Sequence, residues 1–190
     1  MYYKEKKASG NVHTHLWDIS TIRNLDGGFG LDKSSLPANL KELSRGTVLA
    51  VDLDERVAKV VKTVELAEAL KADAVVVKVK KGSLISSGDV LGIGSKSVEV
   101  KDLKIANASF DSFAIEAGAL GTAPLGAVLS SYEGNNPVKA DGFNSRDVKL
   151  LGEDSVSVIY AVDKVNAERL PYPITEGIIS DLKQCLILKK

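Results

Sequence analysis

From Arg45 onward, short β-branched runs are punctuated by glycine. Thr47-Val48-Leu49-Ala50-Val51, Ala58-Lys59-Val60-Val61-Lys62 and Val75-Val76-Val77-Lys78-Val79 concentrate side chains that pack well on a pleated surface, and they predict strands. Ser97 to Lys101 and Ser155 to Tyr160 alternate polar with apolar residues over most of their length, as half-buried strands do. Cys185-Leu186-Ile187-Leu188 predicts a final strand before Lys189-Lys190.

Two segments break the pattern. Residues 63–72 are rich in good helix formers, with Thr63 placed to cap, and predict a short helix. Residues 174–184 predict a second: Pro171 and Pro173 set an extended approach, Thr175 can cap, and Ile178, Ile179 and Leu182 fall on one face, with Gly177 weakening it. Gly-x-Val-Leu occurs three times, at Gly46–Leu49, Gly88–Leu91 and Gly126–Leu129. Each reads as a turn glycine starting a strand that enters the core, which suits a small barrel of successive meanders.

Residues 1–44 differ in character from the rest of the chain. Short apolar clusters such as Leu16-Trp17 and Ile19 are separated by Gly27-Gly28, Gly30, Ser34-Ser35 and Pro37, which predicts an extended N-terminal arm. The arm holds the single Trp and both His residues. Such an arm docks either on its own body or on a neighbouring subunit, its own body being the plainer expectation. The expected fold is therefore mainly β: a small β-barrel or sandwich-like body over 45–190 with two short helices, preceded by the arm.

Composition narrows the function. Among 190 residues, 44% are apolar and 25 Lys plus Arg balance 25 Asp plus Glu. The apolar share supports a packed core. Neutrality removes the electrostatic drive of a phosphate-binding surface, so no nucleic-acid partner is expected. No run approaches the roughly 20 apolar residues that cross a bilayer, and a lone Cys185 cannot form an internal disulfide. The basic start, Met1 to Lys7, leads into Gly10, Asn11 and His13 rather than an apolar stretch, so no secretory signal is read.

Candidate chemistry is sparse. On a strand, His13 and His15 would share a face and could share a metal, but only Asp18 and Cys185 tempt as further ligands and nothing in the sequence brings either close. No metal or cofactor is expected. The two histidines lie apart from any apparent nucleophile, and an apolar strand would bury and quieten Cys185. Glu153, Asp154 and Asp163 read as turn and surface carboxylates rather than a catalytic pair. Gly88 to Gly94 lacks the Lys-Ser/Thr of a phosphate loop and opens no helix, so it is better read as hairpin punctuation. The stretch Lys78 to Leu91 has a generic likeness to biotinyl and lipoyl carrier domains, without the modified-lysine tip. No catalytic residues are assigned, and an enzyme is not expected.

Taken in order, a series of marks resembles the auxiliary capsid proteins, called head decoration or head fiber proteins, of tailed phages and prophages of gut bacteria. The marks are His13 to Asp18 with Gly27-Gly28-Phe29; Leu36-Pro37; Gly46 to Asp52; Val77 to Gly82 leading to Gly88-Asp89; Asp141-Gly142-Phe143; Val156 to Tyr160; and Ala167 to Ile174 before a helix. The resemblance implies a non-enzymatic virion protein of the phage head, assembled in the host cytoplasm, whose β-rich body seats on the major capsid protein. Self-association is a further option. It also implies that arm and terminal Pro segment make the contacts, with Trp17, Phe29, Tyr172 and Ile174 as candidate anchors, since aromatic and apolar groups make the strongest hot spots. The alternative from another class is a host-surface or carbohydrate-binding β module.

Overall fold

The computed structural model describes residues 16–188. Strands dominate, with one α-helix and two 3-10 turns among the described residues. The main sheet orders Arg23–Asn24, Val158–Asn166, Gly142–Asn144, Val48–Asp52, Val57–Val60, Phe29–Leu31 and Ser155–Val156, and Cys185–Leu188 adds in parallel to Val158–Asn166. Ser155–Val156 and Val158–Asn166 are one chain segment interrupted at Ser157, so the sheet turns back on itself without its ladders closing into a barrel.

Successive residues of a strand point to opposite faces, and here both faces are apolar. Val48, Phe143 and Ile159 enter one buried cluster with Trp17 and Ile178, while Leu49, Val60 and Val158 enter another with Phe29 and Leu43. Burial on both sides is why the strand Val48–Asp52 opens as a continuous apolar run rather than as alternation.

Between Val57–Val60 and Gly142–Asn144 the chain inserts a second β unit. One of its sheets joins Thr63–Glu65, Val128–Glu133, Val90–Ile93 and Lys96–Glu99, with Asn136–Pro137 also paired to Val128–Glu133; the other orders Lys101–Lys104, Phe110–Ala114 and Val76–Lys80. The buried cluster of this unit draws on residues 64–129, including Leu66, Val79, Leu91, Phe113 and Leu129. Its two ends lie side by side, Thr63 opposite Ser130, and just before them Lys62 N–H donates to Ser131 Oγ while Ser131 N–H donates to Lys62 O, both at 2.9 Å.

The insertion is fastened to the main sheet at that point. Lys62 Nζ reaches both carboxylate oxygens of Asp89 and the carbonyl of Ser35, Thr63 Oγ1 donates to the Pro173 carbonyl, and Leu84 of the insertion joins the Phe29 cluster.

The threefold Gly-x-Val-Leu signature is one turn used three times. Gly46, Gly88 and Gly126 have φ of 84°, 92° and 83°. Each is the third residue of a turn closed by the following N–H: Thr47 to Ser44 O at 3.3 Å, Asp89 to Ser86 O at 3.2 Å and Ala127 to Pro124 O at 3.1 Å. Positive φ at the third turn position is where glycine is favoured. Each turn delivers a fully buried leucine, Leu49 to the main sheet and Leu91 and Leu129 to the insertion.

Two expectations are corrected. Residues 63–72 form a strand and bridges rather than a helix: Thr63, Val64 and Glu65 pair with Ser130, Leu129 and Val128, and Leu66 and Leu70 bridge to Val79 and Ala123. Helix preferences differ by only tenths of a kcal/mol per residue, and pairing buries Val64 and Leu66, two residues apart, together with Leu70. The second helix is present over Glu176–Asp181, with Thr175 Oγ1 accepting from Ile178 N–H, and it is shorter than 174–184 because the chain turns at Leu182 toward the strand Cys185–Leu188.

The separate, extended standing of the arm is the other correction, while its docking on its own body, the plainer expectation, is what the described residues show. From Leu16 on, its residues belong to the body: Arg23–Asn24 and Phe29–Leu31 are strands of the main sheet, and Glu42–Leu43 pairs with Val148–Lys149. Glycine here serves tight geometry rather than freedom, Gly27 turning the chain at φ 72° just before the buried Phe29.

Candidate functional site

Trp17 and Phe29, expected to face a partner, are 4% and 0% exposed. The Trp17 ring lies 5.9 Å from that of Phe143, with the Arg45 guanidinium 4.6 Å from its centroid. Arg56 sits 4.2 Å from the Phe29 centroid and donates to the carbonyls of Asp26 and Gly28. Both rings are thus occupied by the chain's own atoms, and their place as exposed anchors is withdrawn. A cluster of large side chains excludes more water than a short segment could alone, which is why these aromatics fold inward.

Tyr172 and Ile174 are half-buried. Tyr172 packs on the Phe29 cluster and Ile174 on the Trp17 cluster, while the intervening Pro173 carbonyl accepts from Thr63. The Pro segment therefore straps both clusters to the insertion. Burial raises the pKa of the Tyr172 phenol above its ordinary value.

The residues weighed for chemistry do not assemble. His13 and His15 lie outside the described residues. Burial pushes the Cys185 thiol up to about 11, outweighing its backbone contact with Val162, and such a thiol stays protonated and weakly nucleophilic. Glu153 pairs with Arg146 at 3.0 Å, Asp154 pairs with Lys33, and Asp163 stands exposed on the long strand.

The prominent surface feature lies elsewhere. Leu151, 95% exposed, borders a groove of about 890 Å³ lined also by Leu36, Pro37, Leu40 and Leu150. Two successive turns shape one side, with Leu36 N–H donating to Lys33 O and Leu40 N–H to Pro37 O; Asp32 Oδ1 starts them by accepting from Ser34 N–H at 2.9 Å and Ser34 Oγ at 2.6 Å. The other side is tied across by Leu150 N–H donating to Lys41 O at 2.9 Å and by Lys33 Nζ donating to the Leu150 carbonyl at 2.7 Å. Pro37 and Asn39 also border a second cleft of about 410 Å³, to which the insertion contributes Leu103 and the 60% exposed Ile105. The segment 36–41 thus borders both the leucine-lined groove and a mixed cleft in which Ser83, Ser86, Lys81 and Asp111 stand beside Leu103 and Ile105.

Sequence reading passed over Leu151. Its signal was Leu150-Leu151 before Gly152: two adjacent large apolar residues at a turn, of which Leu150 packs on the Phe29 cluster while Leu151 stands in solvent. Compared with protein-family models, curated proteins and solved structures, the chain finds no match in any of the three.

Proposed function

We propose that this chain is a non-enzymatic structural protein of a virion, binding the major capsid protein of a tailed-phage head and stabilising or decorating the shell. The observation that carries the reading is the apolar groove beside residues 36–41, bordered by the exposed Leu151, with the exposed Ile105 in the neighbouring cleft. Exposed apolar side chains beside an apolar groove mark protein contact sites, and Leu36-Pro37 is among the marks of the capsid resemblance. A protein seated across neighbouring shell subunits adds its binding free energy to theirs, which raises the stability of the shell by mass action. Its place is the phage head, after assembly in the host cytoplasm.

Mass spectrometry of purified particles and assembled shells tests this. The chain is expected at a fixed ratio to the major capsid protein. Its absence from every particle and shell, or glycan binding without any particle association, overturns the reading, the second outcome in favour of a carbohydrate-binding module.

A further inference from the structure

We infer that the groove between residues 33–42 and 149–151 takes an extended segment of another protein in which acidic residues flank leucine-like side chains. The inference rests on the capsid reading only in identifying that protein with the shell. Three observations carry it. The lining is apolar along its length, with Leu36, Leu40, Leu150 and Leu151 presented together. Around them stand Lys33, Lys41 and Lys149, with Glu42 as the cross-strand neighbour of Lys149 and Asp154 on Lys33, which leaves a positive balance centred on Lys41. Lys33 is already held by Asp154, whereas Lys41 and Lys149 form no ion pair among the described residues. The adjoining ribbon, Glu42–Leu43 with Val148–Lys149, is only two strands wide, and with the Lys149 carbonyl accepting from Glu153 N–H at 3.2 Å the edge left to an incoming extended chain is that of Glu42.

Charge selects the occupant. A second copy joined through the same face would set one lysine rim against another, and like charges brought together suppress association. An acidic segment meets the rim with opposite charge, and the exposed setting of these lysines makes that attraction sensitive to salt.

The test uses the full chain and two end-labelled peptides, (Glu-Leu)4 and (Lys-Leu)4, with binding read by fluorescence anisotropy at neutral pH. (Glu-Leu)4 is expected to bind at least tenfold more tightly than (Lys-Leu)4 and to weaken as salt rises. Lys41→Glu combined with Lys149→Glu should abolish that preference, and Leu151→Asp should weaken binding at least tenfold without changing the melting temperature. Leu125→Asp, an exposed leucine of the insertion outside the groove lining, should leave binding unchanged. Equal binding of the two peptides, no binding of either, or indifference to the groove variants overturns the inference. Acidic-peptide binding by a chain absent from particles would keep the groove and sink the capsid reading; shell association unaltered by the groove variants would do the reverse.

Discussion

Lys62 Nζ lies 2.6 Å from Asp89 Oδ2, with the two side chains only 3% and 14% exposed, and this pair joins the main sheet to the insertion. Asp89 also accepts from Ser86 N–H at 2.6 Å, so its charge is met from two sides. Removing one partner strands the other charge away from water. Asp89→Ala or Lys62→Met should each destabilise the protein by about 3–5 kcal/mol, read by urea denaturation. The double replacement should cost less than the sum, because no lone buried charge remains. Additive losses would mean that the two groups act independently.

Trp17 is a core residue, and its truncation should be felt in stability. Trp17→Ala is expected to cost about 3–5 kcal/mol, the usual range for a large buried aromatic. At about 2–4 °C per kcal/mol for a chain of this size, the melting temperature should fall by on the order of 10 °C. Deleting residues 1–36 removes the strand Phe29–Leu31 as well and should abolish cooperative unfolding. A melting temperature unchanged within a few degrees in either variant would return Trp17 to the surface.

The three equivalent turns offer an internal control on backbone strain. An added Cβ at Gly88 meets nothing within 4 Å, and at Gly126 it meets only Glu65 Oε1 at 3.5 Å, an ordinary contact. Alanine at either should cost about 1–2 kcal/mol from the left-handed backbone alone. At Gly46 the same atom would come within 2.7 Å of Leu16 Cδ2 and 3.2 Å of Pro171 Cδ, so Gly46→Ala should be the most damaging of the three by thermal denaturation. Equal losses at all three would show that Leu16 and Pro171 yield freely.

Cys185 should resist thiol reagents while the protein is folded. With its pKa near 11, little thiolate is present at pH 8, and modification should be much slower than in denaturant. Because the folded-state value is raised, the contribution of this thiol to stability is full below about 9 and falls as pH climbs from there to about 11. Cys185→Ser should flatten that part of the stability profile, and the remaining slope belongs to groups such as Tyr172, whose phenol is raised in the same sense. Fast modification of the native protein would contradict the partial burial of this thiol.

Much of the β framework was legible because β-branched runs report local preference and burial together: Val48–Asp52, Val76–Lys80 and Cys185–Leu188 lie where the sequence places them to within a residue. Thr175 was readable for a similar reason, since a cap and its helix are neighbours in the chain. What failed depends on distant partners. Residues 63–72 carry helix-forming composition, and only Ser130, Leu129 and Val128, more than sixty positions away, make them a strand. Residues 16–44 look thin in apolar content, yet Phe29 is enclosed by residues such as Ala58 and Val156 that no local window contains. The groove was hidden for the same reason, its two sides meeting through Lys41 and Leu150, 109 positions apart.

The side-by-side ends of the insertion also govern the order of events when the chain folds. Val48–Asp52 must find Gly142–Asn144 across the whole inserted segment, and bringing distant ends together carries an entropic penalty that grows with the length of the intervening chain. Once the insertion has formed, Lys62 and Ser131 are already adjacent, and the span to be closed shrinks to about a dozen residues on either side. Contacts of shorter range tend to form faster, so the insertion should act as a template that gathers the two halves of the main sheet. In pulse-labelled hydrogen exchange the Leu66 amide, bonded to Ala127, should become protected before the Asn144 amide, bonded to Thr47; the reverse order would show that the halves meet unaided.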